Sequence, residues 1–116
     1  MYRYNETIKI LINKFSELEK IYVENIDDYE GLPYVFYESA FVKYILDKVN
    51  SNDDDALKEI FSFVEDMFVN GDDETKNLIG VAVVESLYHE ENLKFKEVLQ
   101  RYFGELTKKS YEDCFK

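Results

Sequence analysis

The sequence predicts an all-α protein of six or seven helices, arranged as a compact bundle or a short HEAT-like α–α superhelical stack. Three observations carry this. Glycine (four) and proline (one) are scarce in 116 residues, whereas an all-β domain of this size needs many more turn residues. Apolar residues return at three- and four-residue spacing along most of the chain. Short polar, acidic breaks separate those apolar runs. The length corresponds to one domain, residues 1–116, long enough to bury a core without disulfides or metals.

Tyr4, Ile8, Leu11, Ile12 and Phe15 form the first apolar stripe, with Asn5 as the expected N-cap. Ser16-Glu17-Leu18-Glu19 has the form of a capping box that restarts the helix after a bend at Phe15. Residues 25–32 are acidic, carry Gly31 just before the only proline, and read as a loop. Pro33 suits the first position of a helix, where its missing N–H costs nothing, and that helix runs to about Val49. Residues 51–55 break the pattern again. The cleanest stripe follows: Leu57, Ile60, Phe61, Val64, Met67 and Phe68. Asn70-Gly71 ends it, and Asp72 or Asp73 caps the next helix.

From Leu78 to Tyr88 the chain is apolar nearly all round, which places this helix in the middle of the fold, with Gly80 at a close helix approach. Glu85 is the one acid in that run. It is expected to be largely buried, and therefore paired with a tyrosine hydroxyl, a lysine or a backbone donor. Phe95, Val98, Leu99, Tyr102 and Phe103 mark a further amphipathic helix with Gly104 as its C-cap, and a short last helix starts at about Thr107 or Ser110.

Acidic clusters begin at Asp53, Asp72 and Glu90, 19 and 18 residues apart. Two such steps approach the length of a helical-pair repeat. A simpler cause is that acids favour helix N-termini, where the macrodipole is positive.

The charge is lopsided: 14 basic residues against 25 acidic, a net −11. Phosphate contacts need lysine and arginine, so nucleic acid is disfavoured as a partner, and an anionic membrane surface equally. No signal peptide or membrane span is expected, since the longest apolar stretch is Val81–Val84. A lone thiol, Cys114, fits a reducing compartment, and cytoplasmic residence is expected.

Catalytic signatures fail in turn. The single histidine, His89, lies one helical turn after Glu85, but neither the zincin pattern nor the paired Glu-x-x-His of di-iron bundles is present. Taken from Asn70, a calcium loop would have Thr75 where glycine is required and Val81 where glutamate is required. Cys114 has acidic neighbours, Glu112 and Asp113, the reverse of an activating setting. No glycine-rich phosphate loop or nucleophile elbow occurs. The expectation is a non-enzyme without metal or cofactor.

What remains is surface. Antiparallel helices place the end of one beside the start of the next. One end of the fold then collects Asp27, Asp28, Glu30, Asp72, Asp73 and Glu74, and the opposite end Asp53, Asp54, Asp55, Glu90 and Glu91. These are solvated helix caps or, at the first end, a docking rim for a basic protein. Tyr34, Tyr37, Phe41 and Tyr44 form a stripe beside Val35, Ala40, Ile45 and Val49, with Glu38 on the aromatic side. Both stripes do not easily face one core. Tyrosine near acids suits a protein-binding surface, and Tyr34, Tyr37 and Glu38 join the first rim as candidate contacts.

Residues 61–87 resemble the central region of an uncharacterised bacterial family of small, acidic, all-helical proteins. Its members often lie near polymorphic or contact-dependent toxin genes and are taken for immunity proteins. The likeness rests on Phe63-x-Glu65-x-Met67, Asp72-x-Glu74-x-x-Asn77 and Val84-Glu85-x-Leu87. Phe15-Ser-Glu-Leu18 is similar to the family's Phe-Pro-Glu-Leu, with Ser16 in place of proline. The resemblance implies a toxin-neutralising protein whose acidic surface occludes a basic, nuclease-type toxin domain. It carries over no functional residues. Two other readings stay open: a helical regulatory or scaffold module with a protein partner, and a small carboxylate-based enzyme.

Overall fold

Each predicted apolar stripe folds as a helix in the computed structural model, which describes residues 1–114. The helices are α1 (residues 4–14, opening with a 3-10 turn), α2 (Ser16–Glu24), α3 (Ile26–Tyr29), α4 (residues 33–50), α5 (Asp54–Asn70), α6 (residues 73–88), α7 (Leu93–Gln100) and α8 (Glu105–Asp113). That is one more than the sequence predicts. The addition is α3, a single turn within the stretch read as a loop. Among the described residues there is no strand, only an isolated bridge between Tyr2 and Gly71.

Of the two arrangements the sequence allows, the chain adopts the compact one. Its radius of gyration is 13.3 Å and its extents are 34 × 31 × 23 Å, against about 13 Å expected for a globular domain of similar size. α7 returns to pack on the C-terminal half of α4, and α8 packs on both α5 and α6. A solenoid element touches only its neighbours, so these long-range returns exclude a stack. The 18–19-residue spacing is a spacing of caps. Asp53 accepts from the Ala56 N–H, Asp72 from Thr75 and Asn92 from Lys94 and Phe95.

α4 and α6 form the centre. Both contain π-helical turns, at residues 37–41 and 79–85, and these two segments lie against each other. Phe36, Tyr37, Phe41 and Ile45 of α4 and Leu78, Ile79, Val83 and Val84 of α6 are fully buried. Phe15 takes an extended conformation between α1 and α2 (φ −126°, ψ 95°) and is buried. Its ring lies 5.7 Å from Phe41 and 5.5 Å from Phe63, the latter edge-on. The predicted bend is therefore an aromatic anchor that joins α1, α4 and α5.

Three local expectations are corrected. Asn5 caps nothing: α1 opens with a 3-10 turn, and the Thr7 hydroxyl donates to the Tyr4 carbonyl at 2.7 Å. Ser16 is already inside α2, whose cap position is Phe15 with no side-chain cap bond, so no capping box forms. Gly104 is the N-cap of α8; α7 ends at Gln100, with Arg101 as its C-cap.

Glu85 also departs from expectation. It is exposed, its side chain half accessible and 3.9 Å from His89. Val81, one turn earlier, is 45% exposed. The run Leu78–Tyr88 is buried on most sides but keeps one outward strip through Val81, Glu85 and His89. No helix among the described residues is long and apolar enough to cross a membrane.

Candidate functional site

The N-terminal segment draws the starts of α4 and α6 to one end. The Tyr2 N–H donates to the Asn70 carbonyl at 2.7 Å, and the Asp72 N–H returns a bond to the Tyr2 carbonyl at 2.8 Å. The Tyr4 N–H donates to Asp72 Oδ2 at 3.1 Å. The Tyr4 ring then lies 6.0 Å from that of Tyr34 on α4. Tyr34 in turn accepts a 2.5 Å hydrogen bond from Asn77 Nδ2 on α6. Gly71 is required at this junction, because a Cβ there would meet the Met67 carbonyl and the Thr75 side chain within 3 Å.

Tyr34 thus lies beside the α5–α6 turn, and Tyr4, which was not among the candidate contacts, joins the two. Asp72 is committed to structure. The Thr75 side chain and N–H, the Tyr4 N–H and the Arg3 charge hold its carboxyl below the ordinary range. Asp73 and Glu74 are exposed in the first turn of α6. Asp27, Asp28 and Glu30 are exposed on α3 and the turn after it, and Glu38 is exposed on α4.

Tyr37 does not belong to this surface. It is fully buried, and its hydroxyl donates to the Thr7 carbonyl at 2.7 Å. Burial pushes that phenol far above its ordinary pKa. The two stripes of α4 do face one core: Phe36, Tyr37, Ala40, Phe41, Ile45 and Val49 are buried together, while Val35 stays outside. Helices pack on α4 from several directions, so it buries a wider arc than one neighbour needs.

Of the acids at the two ends, only Asp53 and Asp54 form ion pairs among the described residues. At the opposite end Asp53 lies 3.9 Å from Lys48, and Asp54 pairs with Lys58 at 3.0 Å while accepting from the Tyr102 hydroxyl at 2.5 Å. The Tyr102 bond, reinforced by Lys58, holds the Asp54 carboxyl below its usual range. At the α3–α4–α6 end, no ion pair among the described residues involves Asp27, Asp28, Glu30, Asp73 or Glu74. A sequence signal for this was available. Between Lys20 and Lys43 there is no base at all, but there are Glu24, Asp27, Asp28, Glu30 and Glu38.

A separate open groove of about 760 Å³ runs along α5, lined in part by Lys58, Phe61, Glu65, Arg101 and Tyr102. Glu65, half-buried there, is engaged by α8: it accepts from the N–H groups of Leu106 and Thr107 and from the Thr107 hydroxyl, each at 2.9 Å. His89 and Cys114 come together beside Glu85 in a smaller hollow. Burial first, then the nearby Glu85 and Asp113 charges, push the thiol upward, which makes it a poor nucleophile. Among the described residues no group of three or more His, Cys, Asp or Glu is placed to hold a metal ion.

The model of a protein family described as Domain of unknown function (DUF7674) matches residues 8–116. No curated protein and no solved structure matches the chain significantly.

Proposed function

The chain belongs to this family of unknown function, and we propose that it is an immunity protein that binds a basic, nuclease-type toxin domain and occludes its active site. The observation that supports this reading is the run of exposed acids at the α3–α4–α6 end, for which no ion pair is formed among the described residues by Asp27, Asp28, Glu30, Asp73 or Glu74. At the opposite end Asp54 pairs with Lys58, and Asp53 shares Lys48 with Glu17, while Asp55, Glu90 and Glu91 form no ion pair among the described residues. The exposed acids of α3, the α3–α4 turn and the start of α6 are left facing water. Such a surface attracts a cationic partner from a distance and favours rapid encounter. Charge alone would fill a basic cleft that otherwise holds nucleic acid.

In this reading the contacts are Asp27, Asp28, Glu30, Tyr34, Glu38, Asp73 and Glu74. Asp72 holds the α5–α6 junction in shape behind them, and Tyr37 lies beneath in the core. The protein acts in the cytoplasm of the cell it protects and needs no cofactor.

The test is direct. The product of the gene adjacent to this one is purified and assayed for nuclease activity with and without the chain. Stoichiometric inhibition and a stable complex are expected. A neighbouring product that is neither bound nor inhibited removes the immunity reading and leaves a helical regulatory module with another protein partner.

A further inference from the structure

We propose that the corner formed by α2, α3 and the start of α4 is an apolar anchor for a basic amphipathic segment of the partner protein. The anchor residues are Val23, Ile26, Leu32 and Val35. This rests on the docking reading above and changes what holds the partner: burial of apolar surface, with the acids as its rim.

Four large apolar side chains stand in water within one stretch of thirteen residues. Val23 is 62% exposed, Ile26 36%, Leu32 47% and Val35 41%. Single exposed apolar residues need no explanation, but a concentration rimmed by polar groups marks an interaction site. Here the rim is Glu24, Asp27, Asp28, Glu30 and Glu38, all exposed.

The corner is also rigid. Tyr22 and Tyr29 pack on buried Phe36, at 5.3 and 5.0 Å between ring centres, which ties α2 and α3 to α4. Gly31 turns the chain through a left-handed conformation (φ 71°) that other residues adopt poorly. Buried Pro33 then fixes the first turn of α4. The Leu32 N–H bonds to the Tyr29 carbonyl at 3.0 Å, so the exposed leucine is held on a closed turn. A surface already ordered loses little freedom on binding.

Charge selects the occupant. Two copies of this chain meeting at the corner would bring two acidic rims together, in which Lys20 beside Glu24 at 4.0 Å is the one base paired among the described residues, and like-charge repulsion opposes that. A segment with an apolar stripe between lysines or arginines satisfies both the anchor and the rim.

The test uses a short amphipathic helical peptide of leucine and lysine, with a leucine–glutamate peptide of the same pattern as control. Methyl-labelled protein is titrated with each and followed by NMR. The expected result is that the lysine peptide shifts the methyls of Val23, Ile26, Leu32 and Val35, and that the glutamate peptide does not. Leu32→Ser with Val35→Ser should weaken the lysine peptide by at least about tenfold, as loss of a central anchor does, with thermal unfolding unchanged. Shifts confined to the α5 groove, equal binding of both peptides, or unchanged binding by the double variant would each overturn the proposal. So would sedimentation showing a dimer that Leu32→Ser dissolves, since the occupant would then be a second copy. The adjacent gene's product separates the two readings. If it does not bind but the peptide seats at the corner, the immunity reading fails and the anchor stands. If it binds the double variant as tightly as the parent, the anchor fails and the immunity reading stands.

Discussion

Glu65 of α5 caps α8 because Gly104, at the cap position of that helix, has no side chain to do so. Its carboxylate accepts from the N–H groups of Leu106 and Thr107, which are among the first donors of α8 without an intrahelical partner. The fit requires glycine at position 104, since any Cβ there would overlap the Glu65 carboxyl. One residue pair thus docks α8 on α5.

Glu65→Ala should lower stability by about 1–2 kcal/mol, the usual cost of a lost N-cap. Gly104→Ala should also destabilise the fold, by displacing the carboxylate. The two effects should not add, because the second acts through the first. A double-mutant cycle by urea unfolding checks this; strict additivity would show that the pair is not coupled.

The same carboxyl gives the protein an acid limb. Burial alone would raise the Glu65 pKa, but the Leu106 and Thr107 donors outweigh it and hold the group below its ordinary value. A depressed carboxyl contributes its stability above the unfolded-state pKa of about 4.3 and loses it as pH falls through the lower folded value. Thermal stability should therefore decline from about pH 4.5 downward, and Glu65→Gln should flatten part of that decline. An identical acid limb in the variant would assign it to other carboxyls, such as Asp72.

Tyr37→Phe should cost about 0.5–1.5 kcal/mol, the net value of one hydrogen bond, because the hydroxyl is buried and bonded to the Thr7 carbonyl. It should leave partner association unchanged. A slower on-rate or faster dissociation in this variant would contradict its place in the core.

Asp73→Lys with Glu74→Lys should slow association with a basic partner and flatten its salt dependence, since exposed charges act within a Debye length of about 8 Å at physiological ionic strength. Asp72 is left in place because it caps α6 and holds Tyr4. The matched reversal of Asp54 and Asp55 should have a smaller effect on the rate. Equal, small effects at the two ends would mean that the acids are only solvated caps.

Phe15→Ala should be the most damaging of these changes, at about 3–5 kcal/mol. The ring contacts Phe41, Tyr44 and Phe63 and fills the bend between α1 and α2. Chemical denaturation measures it; a loss under about 1 kcal/mol would show that the bend is held by something else.

The sequence by itself determined the helices and most of their breaks. Apolar periodicity is a local property, so α1, α2, α4, α5, α6 and α7 were legible one at a time. So were the bend at Phe15, Pro33 at the start of α4, and a cap at Asp72 or Asp73 for α6, of which the fold uses Asp72. The net charge and the acidic turn residues were equally plain. The Lys58–Asp54 pair, one turn apart, is local, but tertiary structure alone decided that Lys48 reaches Glu17 and that the Tyr102 hydroxyl reaches Asp54. It also decided that Tyr37 is buried and Glu85 exposed, since a helical stripe says which residues share a face but not how many neighbours cover it. The cap of α8 was beyond local reading altogether, because its acceptor lies about forty residues earlier, on another helix. Chain propensities act over a few residues, whereas burial, ion pairing and capping in trans depend on contacts that exist only once the helices have packed.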